Sequence, residues 1–203
     1  MSELLNVHDV PGTTAHDAIV GQGYFPVITS LENNEVLIVH RGGGGHIGLG
    51  GRLDVIRSTD GGETWGEPVT IADSDRDDRN PAFGLAQNGT VVLAYHWQGN
   101  YNANGEWNPS LHNTDVRVVF STDGGQTWTD DDLINFTPIN SASPFGKIHN
   151  IDGILHMLIY SGSVMGDTTD TLRVGPATTP TYILRSTDHG RTWADPTLVA
   201  LGL

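Results

Sequence analysis

One octapeptide, Ser-Thr-Asp-x-Gly-x-Thr-Trp, occurs three times in this chain of 203 residues. The copies begin at Ser58, Ser121 and Ser186, and six of the eight positions are identical in all three copies. Aspartate and serine side chains in such a turn bind nearby backbone amides, and glycine adopts positive φ angles without steric cost. The regular spacing predicts three copies of one structural unit, each of about 64 residues.

The repeated polar and aromatic side chains are expected to be structural. We expect each aspartate to satisfy its own turn rather than to act as a catalytic acid. Each tryptophan should fold back and bury its ring against the sheet. The residues expected to have these structural roles are Ser58, Asp60, Trp65, Ser121, Asp123, Trp128, Ser186, Asp188 and Trp193.

Four short apolar segments, separated by polar turns, surround each octapeptide and predict an all-β fold. The predicted strands are residues 25–31, 36–40, 53–57 and 68–71, then 83–86, 91–95, 116–120 and 132–136, then 147–151, 155–160, 182–185 and 197–201. Antiparallel units of four strands, repeated along the chain, are typical of the blades of a β-propeller.

The charge balance excludes some classes of partner. The chain has 24 acidic and 10 basic residues, a formal charge of −14, so nucleic acid and anionic membranes would repel it. It contains no cysteine, and no apolar run approaches the length of a membrane span. We see no signal-peptide pattern at the amino terminus and leave the compartment open. No cofactor or metal site is expected, although the alternating carboxylates of residues 73–78 leave calcium as an alternative.

The octapeptide resembles the Asp box, or BNR repeat, of the sialidase superfamily. The resemblance covers residues 21 to 201 and implies one propeller region over residues 1–203, with blades at about 21–73, 79–137 and 144–201. Enzymes of this family usually have six blades, so the resemblance implies that the chain forms half of a six-bladed propeller. It also implies an active site on the face opposite the Asp boxes, formed here by residues 20–24, 41–52, 73–80, 96–114, 138–146 and 161–180.

The resemblance implies candidate ligand-binding residues in the first blade. Tyr24 stands where the family has the arginine of an Arg-x-Pro motif. Arg41 stands at the end of the second strand, where the family has an arginine that helps to bind the sugar ring. His46 is the titratable group nearest to the position of the catalytic aspartate, and histidine can serve as acid or base near neutral pH.

The second blade supplies further candidates. Arg79-Asn80-Pro81 has the Arg-x-Pro spacing, so Arg79 is a candidate anion grip held by Asp77 or Asp78; the alternative is a solvated, salt-bridged loop. The long loop after the second strand places Trp97, Tyr101 and Trp107 among amides, as suits contact with a sugar. The alternative is that these rings pack the loop against the blade.

Three interpretations of function stay open. The first is a glycoside hydrolase that acts on a glycan, with His46 and Arg41 in the site. The second is a non-catalytic carbohydrate-binding or scaffold propeller. The third is a piece of a longer enzyme, or else a homodimer in which two copies complete a six-bladed ring.

Overall fold

The computed structural model describes residues 11–12, 23–111, 113–134, 139–140, 142–160, 163–164 and 179–202. These residues form β-strands and one short 3-10 helix, Pro109–Leu111, and none of them lies in an α-helix. The all-β fold is therefore confirmed. A search of the described residues for a helix long and apolar enough to cross a membrane finds none.

Twelve strands form three antiparallel units of four strands each, which we call the first, second and third units. The first unit contains β1 (Tyr24–Ser30), β2 (Val36–Gly42), β3 (Arg52–Ser58) and β4 (Val69–Ala72). The second contains β5 (Asp77–Leu85), β6 (Val91–Gln98), β7 (Thr114–Ser121) and β8 (Asp132–Leu133). Two short strands, β9 (Ile139–Asn140) and β10 (Ser143–Pro144), precede the third unit. That unit contains β11 (Gly146–Ile151), β12 (Ile154–Tyr160), β14 (Thr179–Ser186) and β15 (Ala194–Gly202), and β13 (Ser163–Val164) pairs with β9.

Every predicted strand has a counterpart, but β5 begins much earlier than predicted. Residues 77–80 were expected in a loop, whereas they form the start of β5 and pair with the end of β6. Their polar side chains are buried, so a solvated loop is the wrong description of these four residues. The predicted fourth strand of the second unit included residues 135–136, which lie outside the described part of the chain.

The first strands of the units lie closest to one another. β5 pairs in parallel with β11, with Ala82 opposite Gly146. Lys147 extends from β11 to β1, where its Nζ donates to the carbonyl of Ile28 at 3.0 Å and to the hydroxyl of Thr29 at 2.8 Å. One apolar core joins the first and second units and another joins the second and third, so the units pack side by side.

The Asp-box turns satisfy their own polar groups, as the sequence predicted. In the second copy, Ser121 Oγ donates to Asp123 Oδ1 at 2.7 Å and accepts from the amide of Gly125 at 2.6 Å. The hydroxyl and the amide of Thr127 both donate to the Asp123 carboxylate, and with the Ser121 hydroxyl they hold its pKa well below the usual range. The first and third copies repeat the serine and threonine contacts.

The three Asp-box tryptophans are not equally buried, which corrects the expectation that all three pack alike. Trp193 is 5% exposed and belongs to the core between the second and third units. Trp65 and Trp128 are only half-buried. Trp128 packs near Phe83, with ring centres 6.3 Å apart.

Candidate functional site

The positions of the Asp boxes identify which end of each strand lies on the opposite side of the sheets from the Asp-box turns. The Asp-box serines pair with the starts of the second strands, in the pairs Val36–Ser58, Val91–Ser121 and Leu155–Ser186. The opposite ends of those strands therefore carry three equivalent residues, Arg41, His96 and Tyr160. Their partners on the preceding strands are Tyr24, Arg79 and Ser143. The end of the sheets marked by these six residues is called the variable end below.

A β-bulge interrupts the first strand of two units at this end. Proline has no N–H to donate to a sheet ladder, and Pro26 and Pro81 both lie in bulges. The preceding residues, Phe25 and Asn80, have φ angles of 56° and 48°. A bulky side chain such as that of Phe25 rarely adopts this conformation, and such strain is often found at functional sites.

The bulges place four rings together at the variable end. The Phe25 ring centre lies 5.4 Å from that of His46 and 5.9 Å from that of Phe145. The Tyr24 ring centre lies 5.8 Å from that of His46. Tyr24, His46 and Phe145 are exposed, and they come from three separate segments of the chain. We call Tyr24, Phe25, His46 and Phe145 the ring cluster.

Beneath the ring cluster lies a buried carboxylate, Asp77, which joins two arginines. Its Oδ1 accepts from Arg41 Nε at 2.9 Å and Nη2 at 2.6 Å, and its Oδ2 accepts from Arg79 Nη1 at 3.3 Å. The hydroxyl of Tyr101 also donates to Oδ2, at 2.8 Å. Of the two carboxylates proposed to hold Arg79, the structure thus selects Asp77.

Arg41 is fully buried and holds the glycine-rich loop in place. Its guanidinium donates to the carbonyls of Gly44, Gly45 and Gly48 in addition to Asp77. A side chain at Gly51 would collide with both Arg41 and Asp77, so glycine is required at that position. The guanidinium is engaged within the protein, and the sugar contact expected for it does not follow from this geometry.

Arg79 is nearly buried but lies directly against the ring cluster. Its guanidinium carbon lies 5.4 Å from the Phe25 ring centre, within the range of a cation–π contact. Arg41, His46 and Arg79 were predicted to share one face, and the structure brings them together at the variable end. Asn80 connects this region to the third unit, because its amide donates to Ser143 Oγ at 2.8 Å and to the hydroxyl of Tyr160 at 3.0 Å.

Asp78 points into the junction between the first two units rather than toward Arg79. It is buried and accepts hydrogen bonds from the amide and hydroxyl of Ser74 at 2.6 and 3.0 Å. Burial raises its pKa to about 6, and the hydrogen bonds from Ser74 offset part of that effect. Burial lowers the pKa of His96, a second-strand residue of the variable end, to about 4. A neutral His96 is therefore unsuited to donate a proton near neutral pH.

The three aromatic residues of the long loop do not form one surface. Trp97 is half-buried beneath Arg117, whose guanidinium carbon lies 4.6 Å from the ring centre. Tyr101 is buried against Asp77, so for these two rings the packing interpretation holds. Trp107 pairs with Tyr101 through a single bridge and is exposed, so it alone can contact a ligand.

Sequence reasoning missed the central position of Asp77 and the contribution of Phe145. The acidic run around Asp77 is typical of an exposed loop, and its partner Arg41 is distant in sequence. Phe145 lies in a segment, residues 138–146, that contains no charged residue and no recognisable motif. A signal did exist for the two bulges, because Pro26 and Pro81 cannot donate to a sheet ladder and strand prolines are found at edges and bulges.

Two other features carry no functional assignment. The described residues contain no group of three or more His, Asp or Glu side chains placed to hold a metal ion. A cleft of about 530 Å³ lies at the Asp-box end, between the turns at residues 31–35 and 85–89. It lies at the opposite end of the sheets from the ring cluster, Arg41 and Arg79. The predicted segments 20–24, 138–146 and 161–180 include residues outside the described part of the chain.

The sequence and fold match sialidases over part of their length. A profile of the BNR/Asp-box repeat matches residues 119–130. The chain is 29% identical to a sialidase of Paraclostridium sordellii in an alignment 158 residues long, which covers 70% of this chain and 37% of that protein. The chain therefore spans little more than a third of the curated relative it matches.

Solved structures give the same fold. A protein of unknown function from Dyadobacter fermentans superposes with a TM-score of 0.66 at 20% identity, over 88% of this chain and 55% of that one. Trypanosoma rangeli sialidase in complex with sialic acid superposes with a TM-score of 0.65 at 14% identity, over 95% of this chain and 33% of that one. The chain thus contains the BNR/Asp-box repeat, and it is similar in sequence and in fold to sialidases over part of their length.

Proposed function

We propose that the variable end forms a carbohydrate-binding site, and that this chain contributes the site to a glycan-active protein of the sialidase type. The ring cluster is the observation that carries the proposal. Exposed rings can stack on the apolar faces of sugars, and ligand sites combine such surfaces with a few polar groups. Here the polar groups are Arg79, the hydroxyl of Tyr24 and the imidazole of His46.

The charges beneath the ring cluster limit the kind of glycan that the site can take. Asp77 accepts from both Arg41 and Arg79, so one carboxylate offsets two guanidinium groups. Arg41 has no exposed surface, which leaves Arg79 as the arginine closest to a ligand. A site of this kind favours a neutral sugar, or a sugar with one carboxylate, over a densely charged glycan.

Hydrolysis is the second candidate function, with His46 as acid or base. It rests on the exposed position of His46 beside Tyr24, where a bound sugar would lie. Glycosidases usually use two carboxyl groups about 5–10 Å apart, and Asp77 and Asp78 at this end are both buried. Hydrolysis by this chain would therefore depend on His46 or on groups outside the described residues.

The three units are proposed to be propeller blades, half of a six-bladed ring. The proposal is supported by the side-by-side packing of the units and by the superposition on part of longer sialidases. In a longer protein, further blades would supply the catalytic groups that this chain does not bring to the ring cluster.

Two measurements on the purified chain test the proposed function. A glycan array with neutral, uronic-acid and sialic-acid sugars should show binding to at least one class, and binding should weaken in Tyr24→Ala. A panel of aryl glycosides of the same sugars should separate the two candidates, since turnover that His46→Gln abolishes would favour hydrolysis. A folded chain that binds no glycan would overturn the carbohydrate site.

A further inference from the structure

The long loop after β6 forms a short two-stranded ribbon in which Tyr101 lies opposite Trp107. Backbone hydrogen bonds close the ribbon on both sides of this pair: the amides of Asn102 and Asn108 donate to the carbonyls of Glu106 and Asn100, at 2.8 and 2.7 Å. Tyr101 and Trp107 therefore form a non-hydrogen-bonded pair, in which the two side chains lie close together on the same face. The indole of Trp107 thus lies beside the phenol ring of Tyr101.

The amides of the ribbon lie on its other face. Side chains alternate between the two faces of a strand, so Asn102 and Asn108 point away from the two rings. Their amides bond to each other, since Asn108 Nδ2 donates to Asn102 Oδ1 at 2.9 Å. The ribbon therefore separates a polar face from the face that carries Tyr101 and Trp107.

The ring-bearing face of the ribbon lies against the glycine-rich loop of the first unit. The hydroxyl of Tyr101 donates to Asp77 Oδ2 at 2.8 Å, and the amide of Gly48 donates to the same oxygen at 3.4 Å. At the tip of the ribbon, a Cβ atom at Gly105 would lie only 3.2 Å from Leu49 Cδ1. One buried carboxylate thus holds the loop and the ribbon side by side.

The glycine-rich loop connects the ribbon to the ring cluster. His46 belongs to the ring cluster, Gly48 is bound to the same carboxylate as Tyr101, and Ile47 lies between His46 and Gly48 in the chain. Ile47 is 48% exposed and Trp107 is 50% exposed, whereas Tyr101 is only 8% exposed. A tryptophan that only packed its own loop would be covered as Tyr101 is. Ile47 and Trp107 therefore extend the apolar surface of the ring cluster across the junction of the first two units.

We propose that Ile47 and Trp107 form a second subsite, which binds the sugar residue next to the one that stacks on the ring cluster. This inference rests on the proposed carbohydrate site and names its class of ligand, a glycan of two or more sugar residues. The flat indole of Trp107 suits the apolar face of a sugar ring. Neither side chain is charged, so the second subsite selects for the length of the glycan and not for its charge.

Calorimetric titration with matched sugars tests the proposal. The methyl glycosides of galactose, glucuronic acid and sialic acid each contain one sugar residue. Each is compared with a longer glycan that ends in the same sugar: lactose, glucuronosyl-N-acetylglucosamine or sialyllactose. For the sugar that the ring cluster accepts, the longer glycan should bind the wild type about 2–10-fold more tightly, the contribution of one aromatic contact.

Substitutions separate the two subsites. Trp107→Ala should bind the longer glycan no more tightly than the methyl glycoside, whose affinity should stay at the wild-type value. Trp107→Phe keeps a ring and should retain part of the difference. Tyr24→Ala, in the ring cluster, should weaken the binding of both ligands by the same factor. Leu133→Ala removes an equally exposed apolar side chain elsewhere and should leave both affinities unchanged.

The outcomes distinguish the second subsite from the proposed function. Equal affinity of the wild type for the methyl glycoside and the longer glycan would overturn the second subsite and leave the carbohydrate site in place. A preference for the longer glycan that persists in folded Trp107→Ala would also overturn it, because the second contact would then lie elsewhere. A folded wild type that binds neither series would overturn the carbohydrate site and the second subsite together.

Discussion

The two ends of the sheets differ in how their polar groups are satisfied. At the Asp-box end, the serine and aspartate side chains of each turn form hydrogen bonds within their own eight residues, and the same bonds recur in all three units. At the variable end, equivalent positions carry different residues in each unit, and their partners come from distant segments. The contact between Arg41 and Asp77, for example, spans 36 residues of sequence. The repeated hydrogen bonds within each turn thus build the same scaffold in all three units. The residues that differ between units lie at the variable end, and it is there that a specific ligand can be recognised.

The two ends should differ most in the stability that is lost when a carboxylate is removed, as a comparison of Asp77 with the Asp-box residue Asp123 would show. Asp77→Ala should lower the free energy of unfolding by about 5 kcal/mol, because it removes the carboxylate that pairs with two buried guanidinium groups, those of Arg41 and Arg79. Asp123→Ala should cost less, because the carboxylate of Asp123 is exposed and its turn can be solvated. Urea denaturation of both variants measures the difference. Equal costs would remove the distinction between the two ends.

At the Asp-box end, the tryptophans test whether the stability lost on substitution depends on how deeply each ring is buried, and not on its position in the Asp box. Trp193→Ala should cost about 3–5 kcal/mol, as for other buried aromatic side chains. Trp65→Ala should cost less than half as much, because the ring is only half-buried. The same denaturation experiment compares the two variants. A cost for Trp65 that matches that of Trp193 would mean that the first box is covered in solution.

Asp78, the neighbour of Asp77, should change the stability of the chain with pH. Burial raises its pKa from 3.8 to about 6, so the folded state binds more protons than the unfolded state between these values. Stability therefore falls as the pH rises from about 4 to about 6, by at most about 3 kcal/mol, and the loss stays constant above that range.

Asp78→Asn provides the control, because an amide keeps an acceptor for Ser74 but does not titrate. Unfolding free energies of the wild type and the variant should converge near pH 4, and the variant should be the more stable of the two at pH 7. A difference that is independent of pH would contradict the burial of a titrating carboxylate at this position.

The sequence predicted the parts of the fold whose causes are local. The Asp-box turns and the hairpins follow from residues that are close in sequence, and all of these elements occur where they were expected. The start of β5 was missed because a run of charged residues indicates a loop unless the buried partners are known. Those partners, Arg41 at the end of β2 and Tyr101 in the loop after β6, are distant in sequence.

The candidate site could be predicted only in outline for the same reason. Arg41, His46 and Arg79 were placed at the correct end, but the burial of Arg41 depends on how the glycine-rich loop folds over it. The ring cluster depends on a bulge that gives Phe25 a positive φ angle, a conformation that its residue type does not suggest.

Calorimetric titration with the best glycan from the array tests the carbohydrate site most directly. Phe145→Ala removes an exposed ring of the ring cluster, and Leu133→Ala removes a comparably exposed apolar side chain elsewhere. We expect Phe145→Ala to weaken binding by about 2–10-fold, the contribution of one aromatic contact, and to cost much less stability than Trp193→Ala because the ring is exposed. Leu133→Ala should bind as the wild type does. Unchanged binding by Phe145→Ala and Tyr24→Ala alike would contradict a carbohydrate site at the variable end.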